Sequence, residues 1–433
     1  MNRPVPKNFL AEEDGAITAL SLYTTIALCC LLGLALDVSN AYKVRTELQV
    51  AADEASHAAL YNRGTMSTEL AKTAALNIVD FDFAGQAGGS RVMDAPDITF
   101  GTWNEDTSTF SPDATSRSAV RVVAARNSQR QNGAATYLLD FVGLNAWDVS
   151  AQSIATTYRP PCLTEGFVAE DVVDIQSNNG FYNGFCLHAN DYISVNQNNY
   201  FEAGTVVSMP NTDNIDLPAS GFTKNDGLED ALRNAFYNIR ILDRVNTIIA
   251  GLQNGNEDYL PDYITQTSVL TISGKKTVAP SDFTTGRVHV VNCSGGKLTL
   301  GNGTYNKVVI LTSCPVTFSN GTILDDVVFG NTSTDSQAFY ASHVQLGKDD
   351  NCASNGGAQL VTNGGVKIAS DLKAFGAQII AKKSVYFTAN ADGLEGVSII
   401  SGEDVSGTSN MTMGQCGSGM EDNFEVDYYR IVG

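Results

Sequence analysis

AITALSLYTTIALCCLLGLALDVSNAYKVRTELQVAADEASHAAL, residues 16–60, sets the terms for everything that follows it in the chain. From Ala16 to Leu36 no residue is charged, and only Thr18, Ser21, Thr24 and Thr25 interrupt the apolar run. Their hydroxyls can bond back to helix carbonyls. A helix rising about 1.5 Å per residue crosses a bilayer core in roughly 20 residues, so this run is long enough. Charge resumes on both sides, with Glu12, Glu13 and Asp14 before it and Asp37, Lys43 and Arg45 after it. A cleaved signal peptide would show a basic start and an apolar core of about 7–15 residues. Ser39 and Ala41 would offer a cleavage site, but the core is longer and an acidic triplet abuts it. The run therefore reads as a retained anchor. Beyond it the helical pattern continues as a stalk, with Val44, Leu48, Ala51 or Ala52, Ala55 and Ala59 on one stripe. The small side chains let this face approach another element closely, most simply one of its own folded module.

The same residues carry a family resemblance. The step EEDG (12–15), the apolar span, the Asp37-to-Tyr42 step and the run LQVAADEASHAAL (48–60) resemble the N-terminus of the TadG-like proteins. These belong to the Tad (tight adherence, or Flp) pilus-assembly systems of bacteria. The likeness is clear over residues 8–64 and looser through ITFGTWNEDTSTF (98–110), SAVRVVAAR (118–126) and WDVSAQSIAT (147–156). It implies a single-pass protein of the bacterial inner membrane whose C-terminal body lies in the periplasm or at the cell surface. Its partners would be other Tad subunits or the pilus fibre. Anchoring and helix packing then fall to Gly15, Ala16, Leu36, Asp37, Tyr42, Ala51, Ala52, Asp53 and Ala55. Pilin-like relatives carry Glu five residues after a cleavable Gly, whereas Leu20 follows Gly15 here, so retention as an anchor is expected.

With 433 residues the chain can form two or three domains with real cores. The net charge is −20 and the basic residues are scattered, which argues against nucleic acid as a partner. We divide the chain into a cytoplasmic tail (1–15), a transmembrane helix (16–36) and an α+β module with its stalk (37–158). Within that module Asp97–Gly101, Ala119–Ala124 and Asp148–Thr156 alternate as strands, and Ala134–Leu144 suggests a short helix. Arg159, Pro160 and Pro161 punctuate a boundary.

From Cys162 onward the texture is mainly β: short apolar runs between Asn-, Gly- and Asp-rich corners. AQIIAKKSV (377–385) aligns with VSIISGEDV (397–405) at an offset of 20, and KVVIL (307–311) with DVVFG (326–330) at 19. Such offsets predict a parallel β-solenoid (β-helix) in two parts, 162–223 and 263–420. A helical insertion over 224–256 separates them, amphipathic from Asp226 to Leu252 and packed on the solenoid flank. A C-terminal strand (421–433) would cover or close an end. Six cysteines follow the span: Cys162, Cys186, Cys293, Cys314, Cys352 and Cys416. Stacked positions lie about 4.8 Å apart, within disulfide reach. One-coil separations therefore pair Cys162 with Cys186 and Cys293 with Cys314, leaving Cys352 with Cys416.

No cofactor is expected. The four histidines lack HxxxH, HxH or HExxH spacing, and neither a GxSxG elbow nor a GxxxxGK[ST] loop is present. Solenoid polysaccharide lyases and hydrolases use paired carboxylates, for which Asp325 with Asp326 and Asp349 with Asp350 are the candidates. Adjacent strand residues face opposite ways, so either pair converges only in a turn. Two functions compete. One is a structural or assembly component presenting the solenoid outside the cytoplasm, without catalysis; the other is a membrane-tethered carbohydrate-active enzyme or glycan-binding adhesin.

Overall fold

The computed structural model describes residues 14–82, 91–388 and 393–433. Residues 1–13 of the expected tail lie outside this set. The chain forms two compact units: a module made of residues up to Tyr158 plus Asp427–Gly433, and a body of Arg159–Val426.

In the module, helix α1 (Asp14–Arg63) runs without interruption through the apolar run and the stalk. Helix α2 (Thr68–Asp82) follows after a turn at Gly64. An antiparallel five-stranded sheet completes the module. Its order is Thr109–Pro112, Ile98–Asn104, Ala119–Arg126, Val149–Tyr158, Tyr428–Ile431. The stalk stripe is buried in this unit's own core: Leu48, Ala51, Ala52, Ala55 and Ala59 are fully covered, beside Ile98, Phe100, Val120 and Ala155. Alanine at these positions brings the helix axis close to the sheet, so the small-residue face is accounted for inside the module.

Two expectations for this region need correction. The tail FEVDYYRIV does not close an end of the body; Tyr428–Ile431 pairs antiparallel with Ala155–Tyr158. Its alternating aromatic and aliphatic residues suit an edge strand anywhere, and pairing partners that distant leave no local mark. Nor is Ala134–Leu144 a helix. It is a two-rung hairpin, Ala134–Ala135 against Ala146–Trp147, around a single 3-10 turn at Leu139–Val142. Gly143 ends that turn with φ 85°, a left-handed backbone that stops helical propagation.

The body is mostly β, a 23-stranded sheet whose pairings are all parallel. Ala377 pairs with Val397 and Val308 with Val327, the offsets of 20 and 19 visible in the sequence. One ladder can be followed through the whole body. Leu270 meets His289, Val288 meets Val309, and Val309 meets Val328. From Val328 it continues through Gln359, Gln378 and Ser398. Ser398 then pairs with Gly166, and the ladder runs on through Cys186 and Val206 to the Val207–Leu232 pair. Stacking order therefore differs from chain order. The chain enters mid-stack at Gly166, builds to one end at Asn234, returns through helix α3 (Ile241–Gln253), and builds from Gln266 back to its starting point.

Helix α3 lies on the outer face of this ladder, as expected for an amphipathic flank helix. Ile241, Val245, Ile249 and Leu252 pack with Val309, Val328, Val361 and Ile380, while Ile310, Phe329, Leu360 and Ile379 point inward. Strands covered on both faces read as continuous apolar runs, which is why VVIL, VVFG and QIIA do not alternate. The helix is shorter than its sequence pattern. Asn225–Asp226 and Leu232–Asn234 still pair as strands of the stack. Gly227, at φ 79°, sits where a Cβ would come within 2.0 Å of the Phe201 carbonyl, and a single helical turn, Leu228–Ala231, follows it before the chain returns to the ladder.

The corners use asparagine. Asn178, Asn198 and Asn410 adopt φ of 63°, 64° and 64°, a region asparagine tolerates. The next residues form a ladder: Asn199 Oδ1 accepts from Asn179 N (2.8 Å), and Asn179 Oδ1 accepts from Met411 N (2.9 Å).

Candidate functional site: the apolar anchor and its collar

Among the described residues one helix, Ile17–Arg63, is long and apolar enough to cross a membrane. Its first half is bare: Ile17 is 75% exposed, Leu20 67%, Tyr23 71% and Leu32 65%. A soluble surface does not expose a continuous apolar cylinder of this kind, whereas a lipid-facing one does. The threonine and serine hydroxyls turn inward as expected, Thr24 onto the Leu20 carbonyl (2.8 Å) and Thr25 onto that of Ser21 (2.8 Å). Cys29 and Cys30 are unpaired and exposed on this surface.

The transition from anchor to module is made by Asp37. Its side chain is 1% exposed, and its carboxylate accepts the backbone N–H groups of Tyr137 (2.6 Å), Leu138 (3.1 Å) and Leu139 (2.8 Å). Three donors satisfy a buried charge that would otherwise be very costly. Asn40 Nδ2 donates to the Ala135 carbonyl (2.9 Å). Gly33 lies against Leu138, whose Cδ1 would be 2.6 Å from any Cβ placed there.

The other named positions fall around this junction. Gly15 and Ala16 are in the first turns of α1, and Leu36 and Tyr42 are exposed. Ala51, Ala52 and Ala55 are buried, and Asp53 Oδ1 accepts from Gln49 Nε2 (2.9 Å). The hairpin residues Tyr137, Leu138 and Leu139 escaped the sequence reading. The signal available was TYLLDFVGLNAW (136–147), an apolar run with neither helical nor strand period.

In the body, disulfides join Cys162 to Cys186, Cys293 to Cys314 and Cys352 to Cys416, with Cα separations of 4.9, 6.4 and 5.6 Å. The first two are the pairs expected from the spacing of 24 and 21 residues, and the third is the one left by elimination. The two carboxylate pairs are held differently. Asp326 is buried at φ 54° and accepts from Gly356 N (2.5 Å). Asp325 is held above the ordinary carboxylate range by burial and by the neighbouring Asp326. Asp349 is exposed, and Asp350 accepts from Ala353 N (3.0 Å). Burial, helped by Asp326, Asp262 and Glu421, pushes Asp422 up to about 6. Beside the Cys352–Cys416 bridge lies a cavity of about 370 Å³, lined by Tyr182, Asn183, Glu395, Met413 and Gln415. Among the described residues, Glu395 is its lone carboxylate. Among the described residues no group of three His, Cys, Asp or Glu side chains could hold a metal ion.

His188 illustrates how histidine is used here. It is fully buried, bonded through Nδ1 to Ser208 Oγ (2.8 Å) and through Nε2 to Asn190 Oδ1 (2.9 Å). Burial pulls its pKa down to about 4. The unfolded chain takes up this proton near pH 6.5, the folded one only near 4. Stability from this group is therefore complete above pH 6.5 and lost as the pH falls through that window, about 3 kcal/mol in all. Urea midpoints measured from pH 7.5 to 4 should fall in the native protein and fall less in His188→Gln. Parallel curves would refute the assignment.

Two families match the chain. Residues 166–417 match the family described as Domain of unknown function (DUF7867). Residues 15–75 match the family described as Flp pilus-assembly TadE/G-like. No curated protein and no solved structure matches it.

Proposed function

We propose that this chain, which belongs to the DUF7867 family and carries a TadE/G-like N-terminus, is a non-catalytic structural component of a Tad-type pilus system. Helix α1 anchors it in the bacterial inner membrane. The body is a parallel β-solenoid presented on the periplasmic side, where the three disulfides would be stable. Its partners are other Tad assembly subunits or the pilus fibre. The observation that carries this reading is the coupling of a TadE/G-like anchor to a body inserted between two paired strands of the anchor's own module, Tyr158 opposite Tyr428. Such an insertion is held at both ends, which suits a part that presents a surface. A glycan-binding version is favoured by the cavity at Tyr182, since an aromatic ring beside amides suits a sugar.

Tyr158 and Tyr428 face each other, so residues 159–427 can be excised and replaced by a two-residue Asn-Gly turn. The shortened chain should still insert and fold as a module while losing pilus assembly or adhesion. The full-length chain with Asp325→Asn and Asp326→Asn should keep both. Loss of the phenotype in the double substitution, with the protein folded and exported, would favour the enzyme instead.

A further inference from the structure

We propose that the hairpin Ala134–Trp147 is a second membrane contact, a foot that enters the leaflet beside the anchor; this rests on reading α1 as a membrane span. The apolar surface of α1 does not stop at Leu36 but passes onto this hairpin. Tyr137 is 64% exposed, Leu138 39%, Phe141 86% and Leu144 53%. Four large apolar side chains on one short loop form a patch that water would not favour.

Depth follows from the Gly33 contact. Gly33 lies three residues before the end of the charge-free run, about 4.5 Å along the helix axis. Leu138 packs directly on it. If the run spans the hydrocarbon core, Leu138 sits at or just below the glycerol level. One face of α1 is covered on successive turns from there: Gly33 and Asp37 are buried, while Leu32, Leu34 and Leu36 remain open to lipid.

The backbone of the hairpin is prepared for a medium that offers no hydrogen bonds. The N–H groups of Tyr137, Leu138 and Leu139 go to Asp37. Those of Thr136, Phe141, Gly143 and Leu144 go to the carbonyls of Asn145, Leu138, Asp140 and Leu139. The Thr136 hydroxyl donates to the Leu144 carbonyl. Irregular backbone survives next to lipid only when satisfied internally. Asp140, exposed on the same turn, keeps that turn at the headgroup boundary, and Trp147 and Tyr42 lie where interfacial aromatics collect. The occupant of this patch is therefore lipid.

The test uses the full chain in phosphatidylethanolamine and phosphatidylglycerol vesicles. Trp103→Phe and Trp147→Phe remove the native tryptophans, and Phe141→Trp, Phe81→Trp or Leu28→Trp adds one. Phosphatidylcholines brominated near the headgroup or near the chain end serve as lipid quenchers, and iodide as the aqueous one. Phe141→Trp should lose several-fold more emission to headgroup-proximal bromine than Phe81→Trp and should be shielded from iodide. Iodide quenching equal to that of Phe81→Trp, with Leu28→Trp still quenched by chain-end bromine, would overturn the foot while leaving the anchor intact. Shielding from both quenchers would assign the patch to a protein partner and also overturn it. Failure of chain-end bromine to quench Leu28→Trp would remove the anchor and the foot together.

Discussion

Replacing Phe167 by alanine is expected to destabilise the body by about 3–5 kcal/mol, the cost of emptying a fully buried aromatic site. Phe167 stands at the seam where the strand Leu394–Ser401 pairs with Gly166–Ala169. It is fully buried, it pairs with Ile399 across the seam, and its ring meets Phe185 at 5.0 Å and Phe387 at 5.2 Å. The cavity would open between strands that are over two hundred residues apart in the chain, so nothing local can close it. Amide exchange over 166–169 and 397–401 should accelerate together in Phe167→Ala, because the two strands protect each other. The half-exposed Phe222 provides the comparison, and equal effects of Phe167→Ala and Phe222→Ala would refute the seam.

Removing the Cys352–Cys416 bridge by the double change Cys352→Ser and Cys416→Ser should cost about 4 kcal/mol. The bridge closes a loop with a sequence separation of 64, and in the chain-entropy account a loop of that size restricts the unfolded chain by about this amount. It also holds the residues from Gln415 onward, where Glu165 accepts the N–H groups of Cys416 (2.6 Å) and Gly417 (2.7 Å). The thermal midpoint should fall by more than in the paired Cys293→Ser, Cys314→Ser change, whose separation is 21. Cleavage by protease between Gly414 and Asp427 should also appear. An unchanged midpoint and cleavage pattern would contradict this account.

What the sequence revealed depended on how local the cause was. The apolar run of α1 is a matter of composition over consecutive residues, and it was legible. The offsets at 307–311 and 377–385 were legible because a parallel ladder puts like residues at like positions, and the cysteine pairs followed from the same spacing. The order of stacking was not. That Ser398 lies beside Gly166 depends on α3 carrying the chain back along the flank, which no period records. The helix pattern from Asp226 was cut short by the ladder, which leaves a single helical turn, Leu228–Ala231, between Asn225–Asp226 and Leu232–Asn234. Asp37 was singled out for its place in a family motif. Its role as acceptor for three amides a hundred residues away required the folded hairpin.

The central claim is that α1 crosses the membrane once and puts all that follows on the periplasmic side. Alkaline phosphatase, active only outside the cytoplasm, can be fused through a flexible linker after Gly433, beyond the strand Tyr428–Ile431. The account predicts a membrane-bound fusion with full phosphatase activity, and loss of that activity when Ala16–Leu36 is deleted. An inactive phosphatase paired with an active cytosolic reporter at the same position would contradict it.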